Sequence, residues 1–67
     1  MAITLKAARV NQNMTQSQAA RKIGVSKYTL SNWERGISYP SARHIRRIES
    51  VYSVRYDDLI FLQKNNA

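Results

Sequence analysis

Between Thr15 and Gly36 the chain reads TQSQAARKIGVSKYTLSNWERG, in which a hydroxyl residue precedes each of two short helical runs and a glycine follows each. Thr15 with Gln18 three residues on makes a capping box: the threonine hydroxyl accepts an orphan amide of the first turn, and the glutamine side chain accepts the amide of the cap. This spacing predicts a helix that starts at Gln16, with Ala19, Ala20 and Ile23 on one face. Met14, just ahead of the cap, is placed to staple onto Ala19. Gly24 ends the helix, because glycine enters the left-handed region without a Cβ clash. Ser26 then caps the next helix, and Gly36 stops it, so both glycines of the chain serve as terminators.

The second of these helices is divided into two faces. Leu30 and Trp33 point inward, while Lys27, Tyr28, Ser31, Asn32 and Arg35 share the opposite side. That outer face offers hydrogen-bond donors and acceptors and carries no aliphatic residue. Two helices hinged on one glycine, the second with a segregated polar face, are the sequence form of a helix-turn-helix.

These residues resemble the Cro and cI class of phage repressors, also called the XRE family. The resemblance runs over residues 3–62 and rests on the Leu5-Lys-Ala-Ala-Arg9 start, Met14-Thr-Gln16, Ala20, Ile23-Gly-Val-Ser26, Leu30-Ser-Asn-Trp-Glu-Arg-Gly36, Pro40-Ser41 and Asp57-Asp-Leu59. It implies an all-α, compact five-helix, lambda-repressor-like fold, as a single domain over residues 1–67 with a flexible tail at 63–67. The function it implies is sequence-specific regulation of transcription, as a small Cro-type repressor that binds a palindromic operator through the major groove. The alternative on the same fold is a protein-interaction module: an antirepressor, a modulator that holds a partner repressor, or an antitoxin-like protein.

Composition narrows the classes. Sixty-seven residues allow one domain, and a chain this small buries only about 60% of its unfolded surface, so a lean helical core is expected. Eleven Lys and Arg against four Asp and Glu give a net charge of +7, which favours a polyanionic partner such as double-stranded DNA. No stretch approaches the roughly 18 apolar residues of a membrane span, and no signal-peptide core is present, so no membrane partner and a cytoplasmic location are expected. With no cysteine, disulfides, thiolate metal sites and thiol catalysis are excluded together. His44 is the lone histidine, and no glycine-rich phosphate loop or metal-ligand spacing occurs, so the expectation is no enzyme, no metal and no cofactor.

Three further helices are predicted. Thr4 caps one that runs through Gln12, with Leu5 and Ala8 inward and Asn13 as a left-handed stop. Ser41 caps another from Ala42 to Tyr52, whose buried face is Ile45, Ile48, Val51 and Tyr52. A last helix is expected over residues 56–62, with Asp57 and Asp58 in its first turn, where the macrodipole favours negative charge.

The candidate site follows from the outer face of the central helix. A helix inserted in the major groove presents its first turn to the bases, so Lys27 and Tyr28 are candidate base readers, with Asn32 and Ser31 one turn later. Lys27 suits guanine O6 or N7, and Asn32 suits adenine. Phosphate contacts are assigned to Gln16, Thr29, Arg35, Ser38 and Arg43; for Gln16 the helix amino terminus attracts an anion, and the resemblance implies the same use of a glutamine there. Arg21, Lys22, Arg47, Arg55 and Lys64 read as solvated charges that supply a diffuse field. The resemblance further implies that Arg9 and Glu34 form a structural pair. A homodimer on DNA is expected, with contacts drawn from Ile37, Tyr39, Tyr56, Ile60 and Phe61.

Some positions depart from the family pattern. Arg46 and Glu49 stand where an aliphatic residue and an alanine are usual, and as i and i+3 neighbours they are placed to pair. Ser53 replaces a usual glycine, and Arg55 replaces the hydroxyl cap of the last helix. Ala8 and Ala19 are smaller than the leucines common there, which points to close helix approach with Trp33 filling the space.

Overall fold

A computed structural model describes residues 2–62. Four helices appear in the order expected: α1 (Leu5–Asn11), α2 (Gln16–Ile23), α3 (Lys27–Glu34) and α4 (Ala42–Tyr52). Each is opened by the hydroxyl residue ahead of it, since Thr4, Thr15, Ser26 and Ser41 all accept a first-turn amide through their side chains. At Thr15 both halves of the capping box form, with Gln18 N donating to Thr15 Oγ1 at 3.1 Å and Thr15 N donating to Gln18 Oε1 at 2.9 Å. The stops are local as well. Gly24 sits at φ +94° with open space where a Cβ would go, so its backbone conformation, not crowding, is what calls for glycine. Asn13 (φ 59°) and Ser53 (φ 54°) take the same left-handed region after α1 and α4.

The last segment differs from expectation. Residues 56–62 do not form a fifth helix: a single 3-10 turn (Tyr56–Asp58) leads into a strand, β2 (Leu59–Ile60). This strand pairs in parallel with β1 (Ile3–Thr4), Ile3 opposite Leu59 and Thr4 opposite Ile60. The fold is therefore helical with a two-stranded sheet tying the start of the described chain to its end, not a five-helix all-α domain. Two physical reasons account for this. Arg55 supplies no side-chain cap, and a seven-residue helix without one is marginal, because nucleation costs more than so few hydrogen bonds return. The strand pairing, in contrast, satisfies backbone groups at both ends while Leu59 and Phe61 pack against the core. Glu49 is drawn into this arrangement: its Oε2 accepts the Tyr56 amide at 2.8 Å, so it buttresses the turn rather than serving only as a helix neighbour of Arg46. The expected tail at 63–67 lies outside the described residues.

The core consists of Leu5, Ala8, Ala19, Ala20, Ile23, Leu30, Trp33, Ile48 and Tyr52. Three alanines at the contact of α1, α2 and α3 allow close helix approach, and the larger Trp33, Leu30 and Tyr52 fill the centre. Of the face predicted for α4, Ile48 and Tyr52 are fully buried, whereas Ile45 and Val51 are half-buried. Gln12 Nε2 donates to the Tyr52 carbonyl at 3.2 Å, which ties the end of α1 to the end of α4. Among the described residues no helix is long and apolar enough to cross a membrane.

Candidate nucleic-acid interface

The outer face of α3 begins at its first residue. With Ser26 Oγ accepting the Thr29 amide at 3.0 Å, α3 starts cleanly at Lys27, and its opening turn is the exposed part of the helix. Lys27 is exposed, and Tyr28 is 74% exposed, an unusual position for an aromatic ring with a core nearby. Ser31 and Asn32 follow on the same side, both half-buried, while Leu30 and Trp33 close the opposite side at 0% and 4%. Thr29 is partly taken up by the cap, since its Oγ1 accepts a hydrogen bond from Ser26 Oγ at 3.0 Å. Asn32 is also engaged: Arg35 Nη2 donates to its Oδ1 at 3.3 Å. A bidentate contact to adenine uses both Oδ1 and Nδ2, so Arg35 must share or leave Oδ1 for Asn32 to read a base.

Beneath this face lies a buried polar network. Arg9 Nε donates to Glu34 Oε2 at 2.8 Å, and Arg9 Nη2 donates to Glu34 Oε1 at 3.2 Å, a two-pronged pairing between α1 and α3. The side chains are 11% and 3% exposed. Arg9 Nη1 also donates to the Met14 carbonyl at 2.9 Å, which clamps the loop between α1 and α2. The hydrogen bond with Glu34 holds the Arg9 guanidinium above its ordinary pKa, outweighing the opposing effect of burial. Gln16 joins the same carboxylate: its Nε2 donates to Glu34 Oε1 at 3.0 Å. The glutamine at the amino end of α2 is thus held against the last residue of α3, a contact that local sequence reading did not foresee.

The loop after α3 places the remaining candidates. Gly36 at φ 76° and the bond from Ile37 N to the Asn32 carbonyl (2.9 Å) turn the chain away from the helix. Ser38 and Arg43 are exposed. None of α2, α3 or α4 carries a carboxylate in its first turn, and α3 and α4 carry Lys27 and Arg43 there instead. Cations at the positive end of a helix are unfavourable in isolation, so this pattern concentrates positive potential that an anion relieves. His44 was not singled out for this region by sequence; its Nδ1 lies 3.1 Å from Ser41 Oγ and its ring packs 5.3 Å from that of Trp33. The serine-x-x-histidine spacing was the available signal.

The residues expected at a dimer contact separate into two sets. Tyr39, Phe61 and Tyr56 form one aromatic cluster, with both tyrosine rings 5.9 Å from Phe61. Ile37 and Ile60 are exposed at 47% and 42%. Among the described residues no group of His, Cys, Asp and Glu is arranged to hold a metal.

Comparison with known proteins places this geometry in a family. The chain matches the helix-turn-helix family over residues 5–59. It is 36% identical over 56 residues to the HTH-type transcriptional activator BcrR of Enterococcus faecalis, covering 84% of this chain and 28% of that protein. It is 34% identical over 59 residues to an uncharacterized HTH-type transcriptional regulator of Archaeoglobus fulgidus, covering 88% of this chain and 84% of that one. The chain thus spans little more than a quarter of the activator's length and most of the archaeal protein's. No solved structure matches significantly. The capped helix pair, its polar outer face and these relatives agree that the chain belongs to the XRE-type helix-turn-helix family of DNA-binding transcriptional regulators.

Proposed function

We propose that this protein is a sequence-specific repressor of Cro type, acting in the cytoplasm, which occupies a palindromic operator and thereby blocks transcription. The carrying observation is the division of α3: Leu30 and Trp33 are buried, while Lys27 and Tyr28 stand exposed at its opening turn. In this reading α3 enters the major groove, Lys27, Tyr28, Ser31 and Asn32 read bases, and Gln16, Thr29, Arg35, Ser38 and Arg43 hold phosphates. Arg9 and Glu34 touch no base and fix the angle between the helices. One recognition helix reads too short a word to single out one genomic site, so two copies bind half-sites about 10 base pairs apart, on one side of the duplex. The exposed cluster of Tyr39, Tyr56 and Phe61, with Ile37 and Ile60, supplies the contact between copies.

Selection of bound duplexes from a random DNA pool tests this reading. The expected product is a palindromic motif with half-sites one turn apart. An asymmetric half-site with a one-to-one complex overturns the dimer, and absence of any enriched motif shifts the function to a protein-interaction module on the same fold.

A further inference from the structure

A second basic surface runs along α4. A groove of about 630 Å³ runs between the end of α2 and the flank of α4. Its floor is Ile23 and Gly24, and its wall is Arg43, Arg46, Arg47 and Ser50, which recur at offsets of three, four and seven along one side of α4. His44 completes the lining, with its ring fixed between Ser41 and Trp33. Among the described residues no carboxylate lines the groove. The only acidic residue of α4, Glu49, is occupied at the Tyr56 amide.

We propose that this groove is a phosphodiester-binding site that grips the DNA backbone flanking the word read by α3; the inference rests on the DNA-binding reading above and extends it. Three guanidiniums on one wall match phosphate oxygens by geometry as well as charge. From Arg43 to Ser50 the helix rises about 10 Å, the axial length of about three nucleotides of one strand. Arg43 stands at the α4 end nearest the loop and joins the groove to the contacts proposed there. An acidic polypeptide is the poorer occupant. Protein partners bind chiefly through anchors, aromatic side chains and arginine, packed in a desolvated interface centre. The sole aliphatic side chain among the described lining residues, Ile23, is only 2% exposed and offers no apolar surface to surround such an anchor. A polar, cationic, open groove has the character of a nucleic-acid contact.

The test compares two duplexes that carry the selected operator, one ending at its edges and one extended by about ten base pairs, one helical turn, on each side. Affinity is measured by fluorescence anisotropy across a salt series for the unaltered chain and for the double variant Arg46→Gln, Arg47→Gln. Both arginines are exposed, and circular dichroism checks that the variant folds. The unaltered chain is expected to bind the extended duplex more tightly and with a steeper salt slope. In the variant that slope should become shallower by about two, close to 0.9 per lost phosphate contact, with the short duplex unaffected. An unchanged slope on the extended duplex, or equal losses on both duplexes, overturns the flanking site while leaving operator binding intact. Failure of the unaltered chain to prefer its selected operator overturns the DNA reading itself and this inference with it.

Discussion

Arg9 Nε lies 2.8 Å from Glu34 Oε2 across 25 residues of sequence, and the carboxylate of that pair also accepts Gln16 Nε2 at 3.0 Å. One buried acid therefore joins α1, the start of α2 and the end of α3. In a domain with so few large core residues, this polar contact fixes the relative placement of the helices that the apolar core only brings together.

Removing one partner leaves a charge buried without its counter-ion, so Arg9→Ala and Glu34→Ala should each destabilise the fold by about 3 kcal/mol. The double variant should lose clearly less than the sum, since one stranded charge is worse than none. Urea denaturation of all four proteins checks this. Strict additivity removes the coupling.

Tyr52 is 1% exposed, and its hydroxyl has no hydrogen-bond partner among the described residues. Burial, reinforced by the nearby Glu34 charge and partly offset by Arg9, pushes its pKa up from 10.0 to about 12. The raised folded-state value means the stability tied to the neutral phenol is fully present below pH 10 and is lost as pH rises through 12. Tyr52→Phe should therefore be neutral or mildly stabilising at pH 7, and should lessen alkaline destabilisation between pH 10 and 12 by on the order of 2 kcal/mol. Thermal melts of the two proteins across that range test it. Identical alkaline profiles refute the assignment.

Ser53 ends α4 at φ 54° and ψ 47°, a left-handed conformation in which a Cβ is strained. Ser53→Gly should raise stability by about 0.5 kcal/mol, because relief of that strain exceeds the added backbone entropy of the unfolded chain. Ser53→Val should lower it by about 1 kcal/mol or more, since a β-branched side chain tolerates this region worst. The same rank order of all three proteins in chemical denaturation is required; a glycine variant less stable than the serine form contradicts it.

Alanine at Lys27 or Asn32 should cost about 1 to 3 kcal/mol on the selected operator and little on random DNA. Arg43→Ala should weaken binding to all sequences alike and flatten the logarithmic salt slope by about one. Equal losses on both kinds of DNA for Lys27 or Asn32 move that residue to the phosphate contacts.

What the sequence alone determined about this protein is the punctuation of its helices. Thr4, Thr15, Ser26 and Ser41 open them, and Asn13, Gly24 and Gly36 close them, because a cap or a left-handed stop is decided within about four residues. The inward and outward faces of α3 were legible for the same reason, since a helical period needs no partner to be read. Only the tertiary structure decided the rest. The segment after α4 carries acidic residues suited to a helix start, yet it becomes a turn and a strand, because Ile3 and Thr4 at the other end of the chain offer it a pairing edge. The hold of Glu34 on Gln16, the packing of His44 on Trp33 and the arginine-lined groove beside α4 likewise depend on which helices lie side by side. Such contacts join residues far apart in sequence and form only when the whole core has closed, so no local pattern announces them.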